Sequence, residues 1–176
     1  MSAPMISFST GGWRFHLRAA AIVLHGDAVL LHRLADDPFW ALPGGRVEIG
    51  ETAEAAVKRE MQEELGVDVQ VQRLLAVVEN LFSYRGQPQH GLEMHFLVAL
   101  PPDSPLLNCA PFERVEEGGV GLDGHATSHA RLHFRWFPLG EIGSIDLRPA
   151  FLSDFLASGI AAGTTHIAHI VHDDRR

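Results

Sequence analysis

Three glutamates in the middle of the chain have the spacing of a metal site. Glu60, Glu63 and Glu64 stand at positions i, i+3 and i+4. On a helix such positions converge on one face, within an arc of roughly 100°. Three carboxylates that close repel one another unless a cation joins them. Clustered hard oxygen ligands suit Mg²⁺, with Mn²⁺ as a substitute, so the pattern predicts a divalent-cation site.

The helix that must position these glutamates is well marked. Strong helix formers predict it over Thr52 to Leu65, with Gly66 as its C-terminal cap. An i, i+4 stripe of small and apolar residues must face the core, namely Ala53, Val57, Met61 and Leu65. A solvated acidic face, the common alternative, would lie opposite this stripe. The carboxylate arc instead overlaps its edge, where charges need partners, which favours the metal site.

Nearby residues fit the same site. Arg59 precedes Glu63 by four residues and can hold its carboxylate. The Gly44-Gly45 turn permits a close backbone approach to a phosphate or a metal. Glu51 stands at the helix start, where a carboxylate complements the helix dipole, so a capping role is expected there.

The surrounding elements predict one α+β domain over residues 1–176, with 1–12 and 160–176 as candidate peripheral extensions. The consecutive apolar run Ala19 to Leu24 predicts a strand covered on both faces, followed by a turn and a second strand. Further strands are expected over 67–78, 92–100 and 132–136, a hairpin connection over 83–91, an irregular loop over 101–128 and a helix over 149–156.

Composition and charge exclude several classes of function. The net charge is −8, which disfavours a nucleic-acid polymer as partner but leaves a small anion open, because bound cations can invert the local charge. A single cysteine excludes an intrachain disulfide. The first ten residues do not form a signal peptide, and residues 19–24 are too short to span a membrane. We therefore expect a cytoplasmic protein, monomeric or homodimeric, with no membrane partner.

The segment from Gly45 to Val67 resembles the Nudix box. That signature has Gly, five residues, Glu, seven residues, Arg-Glu, an aliphatic residue, any residue, Glu-Glu, any residue, Gly and an aliphatic residue. The chain matches it with Gly45, Glu51, Arg59-Glu60, Met61, Glu63-Glu64, Gly66 and Val67.

The resemblance implies a fold and a reaction. The fold would be a mixed β-sheet sandwiched between helices. Glu60, Glu63 and Glu64 would bind Mg²⁺ with the Gly45 carbonyl, while Arg59 orients a glutamate and Glu51 supports the loop. The reaction would be hydrolysis of a phosphoanhydride bond in a nucleoside diphosphate linked to another group, by a water that the metal activates.

The general base stays open among several glutamates. Glu63 in the box is one candidate, and Glu93 on a predicted strand is another. Glu113, Glu116 and Glu117 lie in the expected loop, and we favour Glu116 and Glu117 because a loop can close over a bound substrate. The alternative is a solvated acidic run.

Residues outside the box must select the substrate. The proline that marks ADP-ribose hydrolases is absent, whereas Tyr84 has the position of a tyrosine in dinucleoside-polyphosphate hydrolases. We expect Tyr84, Phe82, Trp40 and Arg33 to bind a nucleotide such as a nucleoside triphosphate or a dinucleoside polyphosphate; each aromatic residue has ordinary packing as its alternative.

Three alternatives compete with a hydrolase. An isoprenoid-diphosphate isomerase of the same fold has a degenerate box and a particular cysteine, whereas the box here is intact and Cys109 lies in a proline-rich stretch. A non-catalytic nucleotide-sensing module normally accompanies a DNA-binding domain, for which this chain has no room. A zinc site at His125, His129 and His133 would need helical spacing, but His133 falls in a strand pattern.

Overall fold

The computed structural model describes residues 4–117, 129–158 and 166–175. Within them the strands are β1 (Ser7–Thr10), β2 (Trp13–His25), β3 (Ala28–Leu34), β4 (Gly44–Arg46), β5 (Gln70–Tyr84), β6 (Gln87–Ala99), β7 (Phe112–Glu117), β8 (His129–Pro138) and β9 (Ala168–Asp173). The helices are α1 (Ala53–Leu65) and α2 (Phe151–Ala157), and two 3-10 turns cover Pro105–Asn108 and Ile142–Ser144. None of the described helices is long and apolar enough to cross a membrane.

These strands form one mixed sheet. Its order is β7-β8-β3-β2-β6-β5-β9, and β1 and β4 both pair with β2. The β2–β6 and β5–β9 pairs are parallel, and the other pairs are antiparallel. β2 thus stands at the centre of the sheet and brings residues from distant parts of the chain together.

The apolar run on β2 is buried on both faces, as predicted. Ala19, Ala21 and Val23 pack in a core cluster that contains Met61 of α1. The alternate residues Ala20 and Ile22 belong to a second cluster that includes α2. Since successive strand residues point to opposite faces, one strand supplies both cores. The predicted α+β fold, a mixed sheet sandwiched between helices, is confirmed.

Two expected loops are more regular than the sequence indicated. The hairpin connection expected over 83–91 is only Arg85 and Gly86, with φ of 50° and 79°, a two-residue turn of the kind that joins twisted strands. The irregular loop expected over 101–128 instead begins with the Pro105–Asn108 turn and then forms β7. Residues 118–128 lie outside the described part of the chain.

Candidate active site

The α1 helix begins and ends as its sequence predicts. Thr52 accepts a hydrogen bond from the Ala55 amide at 3.1 Å, and Gly66 closes the helix with a left-handed φ of 72°. The expected capping role of Glu51 is wrong, because Thr52 is the cap. Glu51 instead accepts a hydrogen bond from the Glu48 amide at 3.0 Å and binds Arg59, so it holds the turn before the helix.

The three glutamates of α1 lie at the edge of the core. Glu60 and Glu64 are buried, at 5% and 4% exposure, whereas the Glu63 side chain is 49% exposed. Burial raises the pKa of Glu60 to about 7, against the opposing charge of Arg59. Glu64 accepts a hydrogen bond from the Gly44 amide at 3.3 Å and lies 3.5 Å from His32 Nδ1. Two buried carboxylates on one face need a positive partner.

Arg59 connects these carboxylates to the turn. Its Nε and Nη2 donate to the two oxygens of Glu51, each at 3.0 Å. Its Nη1 donates to Glu60 at 2.8 Å and to Glu63 at 3.0 Å, and Nη2 also reaches the Arg46 carbonyl at 3.0 Å. Burial by itself would lower the pKa of Arg59, but Glu51 and Glu60 outweigh it and raise it. Arg59 is thus a fixed cation that positions the metal-ligand candidates.

The Gly44-Gly45 turn needs glycine for space. A Cβ on Gly44 would lie 2.3 Å from the Ala19 carbonyl oxygen, and its φ of 131° disfavours other residues. A Cβ on Gly45 would lie 2.3 Å from Glu60 Oε1 and 2.5 Å from Oε2. The Gly45 backbone therefore lies directly against the Glu60 carboxylate.

The residues at this position fit a divalent metal ion. The donor set consists of hard oxygens, and a cation would offset the burial of Glu60 and Glu64. Glu60, Glu63, Glu64 and the Gly45 carbonyl are the groups that would hold it. Within residues 4–117, 129–158 and 166–175, no group of three or more His, Cys, Asp or Glu side chains is already arranged to hold a metal ion. Arg59 Nη1 lies between Glu60 and Glu63 instead.

A cavity of about 450 Å³ opens beside these glutamates. Arg18 and Arg46 line it from directly opposed positions on β2 and β4. Like charges that face each other across two strands destabilise a sheet, and Glu93, which stands opposite Arg18 on β6, can offset only one of them, so the pair favours an anion in the cavity. Arg33, also predicted from the sequence, lines the same cavity.

One wall of the cavity, beside Arg18, is polar and buried, and sequence reasoning missed most of it. His16, Asn80, Glu93 and His95 line it at 1%, 4%, 4% and 1% exposure. Burial acts to raise the pKa of Glu93, but the neighbouring His95, Arg18 and Asn80 outweigh it and lower the pKa to about 2. The available signal was polar residues at alternate positions of otherwise apolar strands, as in Glu93 and His95.

The predicted substrate-binding aromatics divide into two groups. Phe82 and Tyr84 line the cavity, and the Tyr84 hydroxyl lies 3.2 Å from Asp37 Oδ2. Trp40 is not among the described residues that line it. Its ring packs edge-on against Phe137 at 4.8 Å, and the Arg33 guanidinium lies over it at 5.2 Å. Trp40 therefore contacts Arg33, a residue of the cavity wall.

The predicted general bases are dispersed. Glu63 lies beside Arg59, and Glu93 is buried on β6. The expected mobile loop around Glu116 and Glu117 is wrong in its backbone, because both residues belong to β7, opposite Ala130 and His129. Their part in catalysis stays a prediction.

The zinc site considered at His125, His129 and His133 finds no support in the part of the chain that the structure describes. His125 lies outside that part, and His129 is the exposed first residue of β8. His133 Nδ1 lies 3.1 Å from Glu113 on β7, a polar contact between two strands. His133 therefore connects β8 to β7 through its side chain.

Comparison with known proteins gives the family context. The NUDIX domain model matches residues 14–157. A MutT-like protein of Streptomyces ambofaciens is 40% identical over 42% of this chain and 53% of its own length. An ADP-ribose pyrophosphatase of Methanocaldococcus jannaschii is 42% identical over 37% of this chain and 43% of its own. An 8-oxo-dGTP diphosphatase of Proteus vulgaris is 49% identical over 27% and 42%.

The chain thus spans about half or less of the length of these relatives. Among solved structures, a UDP-X diphosphatase superposes with a TM-score of 0.59 at 18% identity, over 92% of this chain and 68% of that one. At this identity the likeness concerns the fold alone.

Proposed function

Because the chain belongs to the Nudix family, we propose that it is a Mg²⁺-dependent hydrolase of a phosphoanhydride bond in a nucleotide-type substrate. One observation supports this most strongly: the buried Glu60 and Glu64 and the opposed Arg18 and Arg46 line the same cavity. A divalent-cation site and an anion site side by side suit a substrate that contains a diphosphate.

The protein groups divide the work between binding and positioning. Arg18 and Arg46 bind the phosphates from the strand side of the cavity. Glu60, Glu63 and Glu64 would hold Mg²⁺, which would supply electrostatic stabilisation of phosphate charge and activation of water. Arg59 fixes the glutamates through its bonds to Glu51. Pre-positioned charges of this kind need little rearrangement during the reaction.

The group that accepts the proton of the attacking water is, in this proposal, one of the candidate glutamates. Glu93 has a pKa lowered to about 2, which makes its carboxylate a weak base. Glu63 is exposed and adjacent to the other metal-ligand candidates, and Glu116 and Glu117 are alternatives on β7. We favour Glu63 over Glu93, since a base must reach the attacking water and the Glu63 side chain is exposed whereas Glu93 is buried.

The substrate class is a nucleoside triphosphate or another nucleoside-diphosphate derivative. Relatives named for 8-oxo-dGTP and for ADP-ribose support a nucleotide substrate without selecting one. Tyr84 lines the cavity, and this position supports dinucleoside polyphosphates as further candidate substrates.

A substrate panel tests the proposal. Nucleoside triphosphates, dinucleoside polyphosphates, ADP-ribose and nucleotide sugars are incubated with the protein and Mg²⁺, and products are separated by chromatography. We expect turnover of at least one class, none in EDTA, and a loss of at least about 100-fold in Glu64→Gln. Glu54→Gln is the control, because Glu54 is an exposed glutamate of α1 paired only with Lys58 among the contacts described.

A blank across the panel, with the fold intact, would contradict hydrolysis and favour the nucleotide-sensing module. Wild-type turnover by Glu64→Gln would contradict the assignment of the site.

A further inference from the structure

A row of residues crosses four neighbouring strands at the polar wall of the cavity. His16 on β2 stands opposite Gly91 on β6, Gly91 opposite Asn80 on β5, and Asn80 opposite His172 on β9. Glu93 follows Gly91 by two residues and so points to the same face. Gly91 leaves room for this arrangement, because a Cβ there would lie 2.9 Å from His16 Nε2 and 3.2 Å from Glu93 Oε1.

Hydrogen bonds hold this wall in a defined orientation. Asn80 Nδ2 donates to Glu93 Oε1 at 2.7 Å, and His95 Nε2 lies 3.0 Å from Glu93 Oε2. With its lowered pKa, Glu93 is ionised and only accepts, so His95 Nε2 donates. His172 Nδ1 lies 3.0 Å from Asn80 Oδ1 and donates to it. A carboxylate has about four lone-pair positions, and these bonds use two of them.

His16 indicates that the wall is incomplete without a ligand. It is 1% exposed, yet neither ring nitrogen has a hydrogen-bond partner in the described part of the chain. His95 Nδ1 is in the same condition. Burial lowers the pKa of His16 to about 4, so near neutral pH its ring offers one donor and one acceptor. Unsatisfied buried polar groups are rare and unfavourable, and a bound ligand would satisfy them.

Charge changes sign along one row across β4, β2 and β6, where Arg46 stands opposite Arg18 and Arg18 stands opposite Glu93. Glu93 is an anion and repels phosphate, whereas Arg18 and Arg46 attract it. A substrate with phosphates at the arginines therefore turns its uncharged part toward Glu93 and His16. Phe82 adds an apolar surface there, with its ring edge-on to His16 at 6.2 Å.

We propose that Glu93, His16 and Asn80 form the binding site for the nucleoside half of the substrate, through two adjacent N–H or O–H donors. The N1 and N2 edge of a guanine base and the vicinal hydroxyls of a ribose both have this chemistry. The placement of the phosphates rests on the proposed function. Glu93 is thus a specificity-determining residue rather than the proton acceptor.

Equilibrium binding in EDTA tests the site independently of hydrolysis. The probes are GMP, IMP, which lacks the 2-amino group, and dGMP, which lacks the 2′-hydroxyl. Calorimetry should give GMP affinity at least about 10-fold weaker in Glu93→Gln than in the wild type, since one bidentate pair discriminates by this order or more. Glu79→Gln is the matched control, because Glu79 pairs with His169 on the exposed side of β5 and should bind like the wild type.

The probes distinguish the two sources of donors. If IMP binds more weakly than GMP, the two donors belong to the base edge. If dGMP binds more weakly than GMP, they belong to the ribose. Gly91→Ala is a second variant, which displaces His16 or Glu93 without requiring a left-handed backbone, and it should also weaken GMP binding. Thermal unfolding confirms that each variant is folded before binding is measured.

Two results would overturn the site. Equal GMP affinity in the wild type, Glu93→Gln and Gly91→Ala would contradict the proposed nucleoside site. Undetectable GMP binding by the wild type would also contradict it. With a turned-over nucleotide substrate, Glu93→Gln should raise KM and leave kcat within a few-fold. A fall in kcat at constant KM would instead assign Glu93 to the chemistry. A blank substrate panel alone would contradict hydrolysis and leave the binding result standing.

Discussion

Gly45→Ala is the sharpest test of the carboxylate cluster because it adds one methyl group against it. The new Cβ would lie 2.3 Å from Glu60 Oε1, and real Cβ atoms essentially never come closer than 3.0 Å. The Glu60 carboxylate must therefore retreat by at least 0.7 Å, the difference between these distances. Misplacement of a catalytic group by about 1 Å can lower a rate by about 100-fold.

We expect kcat/KM of Gly45→Ala to fall by about 100-fold, with weaker Mg²⁺ activation. The free energy of unfolding should change little, because the displaced atoms end a flexible side chain. Steady-state kinetics over a Mg²⁺ titration, with thermal unfolding alongside, measures both. Gly140→Ala is the control, since a Cβ there meets no atom within 4 Å. Full activity of Gly45→Ala would refute the close approach of Gly45 to Glu60 as a requirement for function.

Three further changes separate metal binding from packing. Burial raises the pKa of Glu60 from 4.5 to about 7, so over that window the folded, metal-free protein keeps a proton that the unfolded chain loses, and stability falls as the pH rises. Urea unfolding in EDTA at about pH 5 and about pH 8 should show this slope in the wild type and a smaller one in Glu60→Gln; equal slopes would contradict it. Arg59→Lys should weaken Mg²⁺ affinity by about 10- to 100-fold in calorimetry, because lysine cannot bind Glu51 with two nitrogens; unchanged affinity would argue against positioning by Arg59. Met61→Ala should lower the free energy of unfolding by about 2–5 kcal/mol and leave Mg²⁺ affinity of the folded protein unchanged, whereas a loss of affinity alone would make Met61 part of the site.

The parts of the fold that depend on local pattern could be predicted from the sequence. The length of α1, its glycine cap and its buried stripe follow from residue spacing within one helix. The burial of Glu60 and Glu64 also follows, since their arc overlaps that stripe. The run from Ala19 has apolar residues at successive positions, and this indicates two covered faces without any knowledge of the partners.

The sequence shows polar residues at alternate positions of apolar strands, but it does not show that they form one wall, because their meeting depends on the register between strands. Asn80 and Glu93 lie on the two strands of the β5–β6 hairpin, whereas His16 is far from both in sequence and meets them only through the parallel β2–β6 pairing. Each residue in isolation looks like an ordinary polar position on a strand. The parallel addition of β9 is equally non-local, and it brings His172 to Asn80.

Local rules also misplaced some contacts. Glu51 was expected to cap the helix because of its position in sequence, but Thr52 stands closer to the free amides and leaves Glu51 to Arg59. The Gly- and acid-rich composition of 101–128 indicated an irregular loop, yet Phe112 and Val115 belong to a strand that pairs with β8. In both cases the neighbouring residue or strand outweighed the general tendency.

The most direct test of a Mg²⁺-dependent phosphoanhydride hydrolase is to measure product formation while Mg²⁺ is titrated into the metal-free protein. With a substrate from the nucleotide panel, chromatography should detect no nucleoside monophosphate in EDTA and a saturable rise as Mg²⁺ is added. The rise should be nearly absent in Glu64→Gln and unchanged in Glu54→Gln. Turnover in EDTA at the full rate, or the same Mg²⁺ response in Glu64→Gln as in the wild type, would contradict the assignment of these glutamates as the metal site of a hydrolase.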